Sequence, residues 1–179
     1  MAYLLDSDVL IRAKNDHYGF DFCPGFWAWL QLVNDEGLVH SVDAVYDELV
    51  AGDDELAEWV KDHKSFFLPT TSAEVQSVAA INRWANDSPD YTPNAKAEFS
   101  RAADSFLIAH AAAGAHTVVT HERASDGRKR IKIPNAALAN GVEVVTPFQM
   151  LRREKVKLVL DGHGTGIPDA GSQGSLFDQ

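Results

Sequence analysis

Asp6 closes the apolar triplet Tyr3-Leu4-Leu5, a strand candidate, and precedes Val9-Leu10-Ile11, which can begin a helix. In a parallel sheet, ligand sites lie beyond the carboxyl ends of strands, so an acid at that junction differs from one on a solvated helix face. Asp6 and Asp8 can equally serve as caps of the helix that follows. Asp104 carries a stronger signal. Leu107, Ile108 and Ala111 follow it at helical spacing, which puts its carboxylate on an apolar stripe. A carboxylate buried there without a partner is costly, and Arg101 or a nearby hydroxyl is the plain alternative. Glu48 lies at the edge of the stripe Val42, Val45, Tyr46, Leu49, facing either the sheet end or water. Glu122 is the first carboxylate beyond the strand candidate Thr117 to His121, and Asp126 follows in a Ser-Asp-Gly turn. Either can supply a fourth acid, Glu122 being the one whose position the strand would fix; a surface glutamate and a turn aspartate are the ordinary readings.

Carboxylates gathered in one crevice repel each other and raise one another's pKa unless cations neutralise them. An oxygen-only donor set without Cys or paired His favours Mg²⁺ or Mn²⁺. Such ions activate water and stabilise a leaving oxygen, which suits phosphodiester hydrolysis. No Ser-His-Asp or Cys-His arrangement and no phosphate-cradling glycine loop is recognisable. Arg123, Arg128, Lys129, Arg130 and Lys132 form a basic cluster that can contact phosphates beside the acids, or simply a solvated loop or docking surface. Arg152, Arg153, Lys155 and Lys157 read as a solvated helix face, and Cys23, Trp27 and Trp29 as core or near-core groups. His121 is a poor Mg²⁺ ligand and a candidate substrate contact.

The elements that must position these residues alternate. Strands are expected at Tyr3 to Leu5, Leu38 to His40, Phe66 to Leu68, Thr117 to His121 and Val142 to Thr146. Helices are expected from Pro24 to Glu36, from Ser41 as cap through Leu49, around Leu56 to Val60, from Val75 to Trp84 with a cap at Thr71 or Ser72, as one long alanine-rich run from Ala95 to Ala113, from Pro134 to Asn140, and from Pro147. This order favours an α/β domain with a central, mainly parallel sheet covered by helices on both faces. The chain of 179 residues suits one domain, here 1–157, and the glycine-rich stretch 158–179 is expected to be a disordered tail.

Composition narrows the partners. A net charge of −10 disfavours diffuse binding to nucleic acid or anionic lipid, so an anionic partner must meet the local basic cluster or metal ions. No apolar run is long enough to span a bilayer, the first residues do not read as a secretory signal, and a single cysteine cannot form an internal disulfide, so a cytoplasmic location is expected.

Tyr3-Leu4-Leu5-Asp6-Ser7-Asp8-Val9-Leu10-Ile11 resembles the opening motif of PIN-domain ribonucleases. Val45 to Leu49, Ala103 to Ala109 and Val118 to Glu122 fall in the order of that family's later acidic motifs. Thr120-His121-Glu122 followed by Lys132-Ile133-Pro134-Asn135 is similar to a bacterial PIN subfamily labelled only as of unknown function. The resemblance, over residues 3 to 157, implies a PIN-like three-layer α/β fold and a Mg²⁺- or Mn²⁺-dependent endoribonuclease. It implies a VapC-like toxin with a cognate antitoxin, able to form a homodimer, with Asp6, Glu48 and Asp104 as metal ligands and Glu122 or Asp126 as the fourth. Asp8 and Glu122 depart from the family pattern, in which Asn or Ser and Asp are frequent at those places. Asp6-Ser7-Asp8-Val9-Leu10 also looks like the opening of haloacid-dehalogenase-type phosphatases, although a suitable later acidic pair is missing. A catalytically silent domain that binds RNA or protein is a further alternative.

Overall fold

The computed structural model describes residues 1–159. The expectation for the tail falls almost wholly outside them. Strand β1 (Tyr3–Leu5) leads into helix α1 (Ser7–Arg12), which continues as a π-helical turn, Ala13–His17. Helix α2 (Pro24–Asp35) starts on a proline, whose missing N–H is no loss in a first turn. It ends before Gly37, whose φ of +73° suits glycine. Then come β2 (Val39–Val42), α3 (Asp43–Val50), α4 (Glu55–Asp62) and β3 (Phe67–Leu68). Helix α5 (Ser72–Asp87) opens on a capping box between Thr71 and Glu74, followed by α6 (Pro93–Phe99) and α7 (Ala103–Gly114). The chain continues through β4 (Thr117–Val119), α8 (Ile133–Ala139), β5 (Val144–Val145) and α9 (Pro147–Arg153).

The strands form one parallel sheet in the order β3-β2-β1-β4-β5. Successive residues of a strand point to opposite faces, and all three residues of β4 are buried, so both faces are covered. Leu4, Leu5, Val39, Val42, Val118 and Val119 provide the sheet's share of the core. Helix α7 lies against β2 and β4 and also packs on α5. Its Leu107, Ile108, Ala109 and Ala111 are all buried, as expected of a helix enclosed by neighbours.

Two expectations are corrected. The long helix Ala95 to Ala113 is two helices. The first ends at Phe99 with Ser100 as its still-helical cap, Ala102 is extended at ψ 152°, and a new helix starts at Ala103. Asp104 therefore stands in the first turn of α7, where the helix dipole favours a carboxylate, and not midway along a continuous stripe. Ser41 does not cap α3. It lies within β2, and its buried hydroxyl donates to the Leu5 carbonyl at 2.6 Å across the sheet. Asp43 begins α3, its carboxylate accepting from the Thr70 N–H at 2.7 Å and the Thr70 hydroxyl at 2.8 Å, which ties the helix start to the segment after β3.

Candidate active site

The chain runs from β1 to one side through β2 and to the other through β4, so the sheet order reverses between β1 and β4, where parallel sheets open a crevice. Asp6 follows β1 and Thr120 follows β4. Asp6 has the extended backbone of an N-cap, yet its side chain caps no N–H of α1. Its Oδ2 instead accepts a hydrogen bond from the Thr120 hydroxyl at 2.8 Å. Thr120, fully buried, also accepts from the Glu122 N–H at 3.0 Å. One hydroxyl thus fixes Asp6 and shapes the chain leaving β4.

Asp6, Glu48, Asp104 and Glu122 line one cleft of about 440 Å³, together with Asp8, Arg12, His121, Arg130 and Lys132. Asp6 is buried, Asp104 and Glu122 are partly buried, and Glu48 is exposed on α3. Burial pushes the Asp6 carboxyl up to about 6; the Thr120 hydrogen bond opposes this, while the charges of Glu122, Asp8 and Glu48 add to it. Burial also pushes Asp104 up to about 7, with Asp6, Glu122 and Glu48 raising it further and Arg130 pulling it down. No hydrogen bond or ion pair reaches the Asp104 carboxylate among the described residues, so neither Arg101 nor a hydroxyl satisfies it. Such mutual repulsion among oxygen donors is what a divalent cation relieves. Among the described residues no three His, Cys, Asp or Glu side chains stand at metal-site spacing; what the cleft offers a hard cation such as Mg²⁺ or Mn²⁺ is the chemistry of its oxygen donors, with Glu48 exposed at its edge.

Basic groups share the cleft. Ile131 and Ile133 are buried, so the alternating Arg130 and Lys132 face the acids. Glu122 Oε1 accepts from Lys132 Nζ at 2.6 Å and lies 3.4 Å from Arg130, while Oε2 accepts from the Ile133 N–H at 2.9 Å. Asp8 pairs with Arg12 at 2.9 Å. Of the remaining basic cluster, Arg128 donates to the carbonyls of Asp90 and Pro89, while Arg123 and Lys129 are exposed away from the cleft lining. Asp126 lines a separate cleft with Asp90, Tyr91, Ser125, Arg128 and Asn135.

A family described as a domain of unknown function (DUF4411) matches residues 3–158. The chain belongs to the DUF4411 family. No curated protein matches this DUF4411 chain. Among solved structures, it is similar to a chain in the crystal structure of VapBC2 from Rickettsia felis bound to a DNA fragment from their promoter. The TM-score is 0.51 and the identity 15%, over 82% of this chain and 98% of that one. At that identity the likeness is one of fold, and it agrees with the PIN-like three-layer α/β architecture.

Within this DUF4411 site, Thr120 is the residue that sequence reasoning placed in a motif without giving it a role; its signal is a hydroxyl directly after the strand neighbouring β1. Replacing it by Val keeps the shape but removes the shorter of two hydroxyl contacts to Asp6, leaving only the Ser7 hydroxyl at 3.5 Å, and leaves the Glu122 N–H without its acceptor. Thr120→Val is expected to lower stability by about 1–3 kcal/mol in urea unfolding and to raise the Asp6 pKa further above 6. An NMR titration of the Asp6 carboxyl that stays at or falls below the parent value would contradict the assignment.

Proposed function

We propose that this DUF4411 chain is a Mg²⁺- or Mn²⁺-dependent endoribonuclease and the toxin of a toxin-antitoxin pair. The observation that carries the reading is the pair of acids at the sheet reversal, buried Asp6 and partly buried Asp104, which line one cleft and have carboxyls raised by burial and by their neighbours' charge. Asp6, Asp104 and Glu48 would hold the cation, with Glu122 as the fourth acid. When bound, the cation supplies water activation and charge neutralisation at phosphorus. The chain's own groups do the rest. Thr120 orients Asp6, and Arg130 and Lys132 present positive charge to the RNA phosphate on the same cleft wall. The similar fold of VapBC2, whose crystal structure holds a DNA fragment from their promoter, supports a cognate antitoxin as partner.

The test is incubation of the purified chain with a mixed RNA pool in EDTA, Mg²⁺ or Mn²⁺. Cleavage is expected only with the divalent cations, leaving 5′-phosphate and 3′-hydroxyl ends. Cleavage that persists in EDTA and leaves cyclic phosphates would instead make Asp6 and Asp104 a general acid-base pair. Hydrolysis of small phosphomonoesters without RNA cleavage would move the chain to the phosphatase reading, and RNA binding without any hydrolysis to the silent one.

A further inference from the structure

Beside the acid cleft lies a patch of three rings that the proposed hydrolysis does not use. His17, His121 and Phe148 come from three separate segments: the π-helical turn after α1, the residues after β4, and the start of α9 after β5. Their ring centroids are mutually close, 5.6 Å for His17 and His121, 5.4 Å for His17 and Phe148, and 6.0 Å for His121 and Phe148, with planes inclined at 46°, 65° and 69°, so the three rings wall an angled recess in which one exposed face at a time can meet a planar ligand. The patch is reachable, since Phe148 is 39% exposed and both histidines are partly exposed. It is also continuous with the site, because His121 lines the acid cleft.

The turn that presents His17 is firmly anchored. The Tyr18 N–H donates to the Ala13 carbonyl at 2.6 Å, the i to i−5 pattern of a π turn, and such turns recur at functional sites. The Tyr18 ring stacks on buried Phe26 at 4.2 Å, and its carbonyl accepts from the Trp27 indole at 2.6 Å. A ring on so fixed a segment loses little freedom when it binds, which favours stacking over a loose apolar contact.

We propose that His17, His121 and Phe148 form a stacking platform for an unpaired nucleobase of the RNA whose phosphate lies in the acid cleft. The platform rests on the ribonuclease reading. Its occupant is argued from aromatic rings adjoining a cleft that, among its acids, carries Arg12, Arg130 and Lys132 within reach of a phosphate: aromatic faces beside cationic groups are the pairing used in single-strand binding. A base held there would fix which nucleotide flanks the bond to be cut, so the platform would demand locally unpaired RNA.

A single-stranded oligoribonucleotide carrying 2-aminopurine is titrated with the full-length chain in Ca²⁺, following fluorescence. Stacking is expected to quench the probe. Phe148→Leu and His17→Ala are each expected to bind roughly 5- to 150-fold more weakly with the quenching reduced, and Phe148→Tyr to restore both. His17→Ala carries the test should Phe148→Leu disturb the packing of α9. Parent-like affinity and quenching in both His17→Ala and Phe148→Leu would overturn the platform. So would unchanged RNA binding accompanied by a change in oligomeric mass, which would make the patch a protein contact. Failure of the parent reading is seen separately, as absence of RNA cleavage by the unmodified chain in Mn²⁺.

Discussion

Asp104→Asn is expected to reduce Mn²⁺-dependent RNA cleavage by at least about 10²-fold while making the chain more stable in a chelator at neutral pH. Both effects come from one crowded carboxylate. The Asp104 carboxyl is raised from 3.8 to about 7 by burial first and neighbouring acids second. Between those values the folded chain binds more protons than the unfolded one, so the contribution of Asp104 to stability falls as pH rises through that window and stays low above it. Asn has no charge to desolvate. The gain should be on the order of 1–3 kcal/mol above pH 7, after allowance for the water that reaches the cleft, and should vanish below pH 4. Urea unfolding of parent and variant at pH 4 and pH 8 in EDTA measures it. A variant less stable than the parent at pH 8 would show that the carboxylate has a structural partner. Mn²⁺ should reverse the ranking, stabilising the parent more than the variant.

Glu122→Gln and Asp126→Asn should part company clearly. Glu122 shares the cleft with Asp6 and Asp104, whereas Asp126 lines another. Glu122→Gln is expected to weaken Mn²⁺ binding about tenfold and to leave cleavage impaired at saturating metal, in line with a ligand whose loss affects affinity and geometry together. It also weakens the hold on Lys132, so a modest fall in melting temperature accompanies it. Asp126→Asn should match the parent in both assays. Full recovery of cleavage by Glu122→Gln at high Mn²⁺ would mean that Glu122 acts only through its field and through Lys132. A larger defect in Asp126→Asn would move the fourth acid to the loop.

The alternation of strands and helices, the parallel sheet and the place of Asp6 were legible because each rests on local pattern: an apolar triplet, an acid, then helical spacing. The break before α7 was not. Ser100-Arg101-Ala102 holds neither Gly nor Pro, and every residue in the run tolerates a helix, so only packing ends it there. Ser41 misled for a related reason. A serine ahead of a helical stripe reads as a cap, but its hydroxyl finds the Leu5 carbonyl across the sheet, a partner distant in sequence. The expectation that Asp104 and Asp6 face one crevice needed only topology. The engagement of Glu122 by Lys132 needed the return of a ten-residue loop, although the alternation Arg130-Ile131-Lys132-Ile133 already hinted which side chains would turn outward. The ring triad was illegible, since its members lie on three segments joined only by the fold.

The bond between Thr120 and Asp6 spans 114 residues of sequence, and β1 sits in the sheet's centre between an early neighbour and a late one. During synthesis, Asp6 therefore waits for its donor. At about 5–20 residues per second the interval is roughly 6 to 23 s. Until β4 docks, β1 lacks one edge partner, the crevice has a single wall, and Glu122 with its basic companions does not yet exist. On the proposed ribonuclease reading, a chain that has not yet made β4 and residues 120–132 has no assembled site, so the order of synthesis itself delays any cutting.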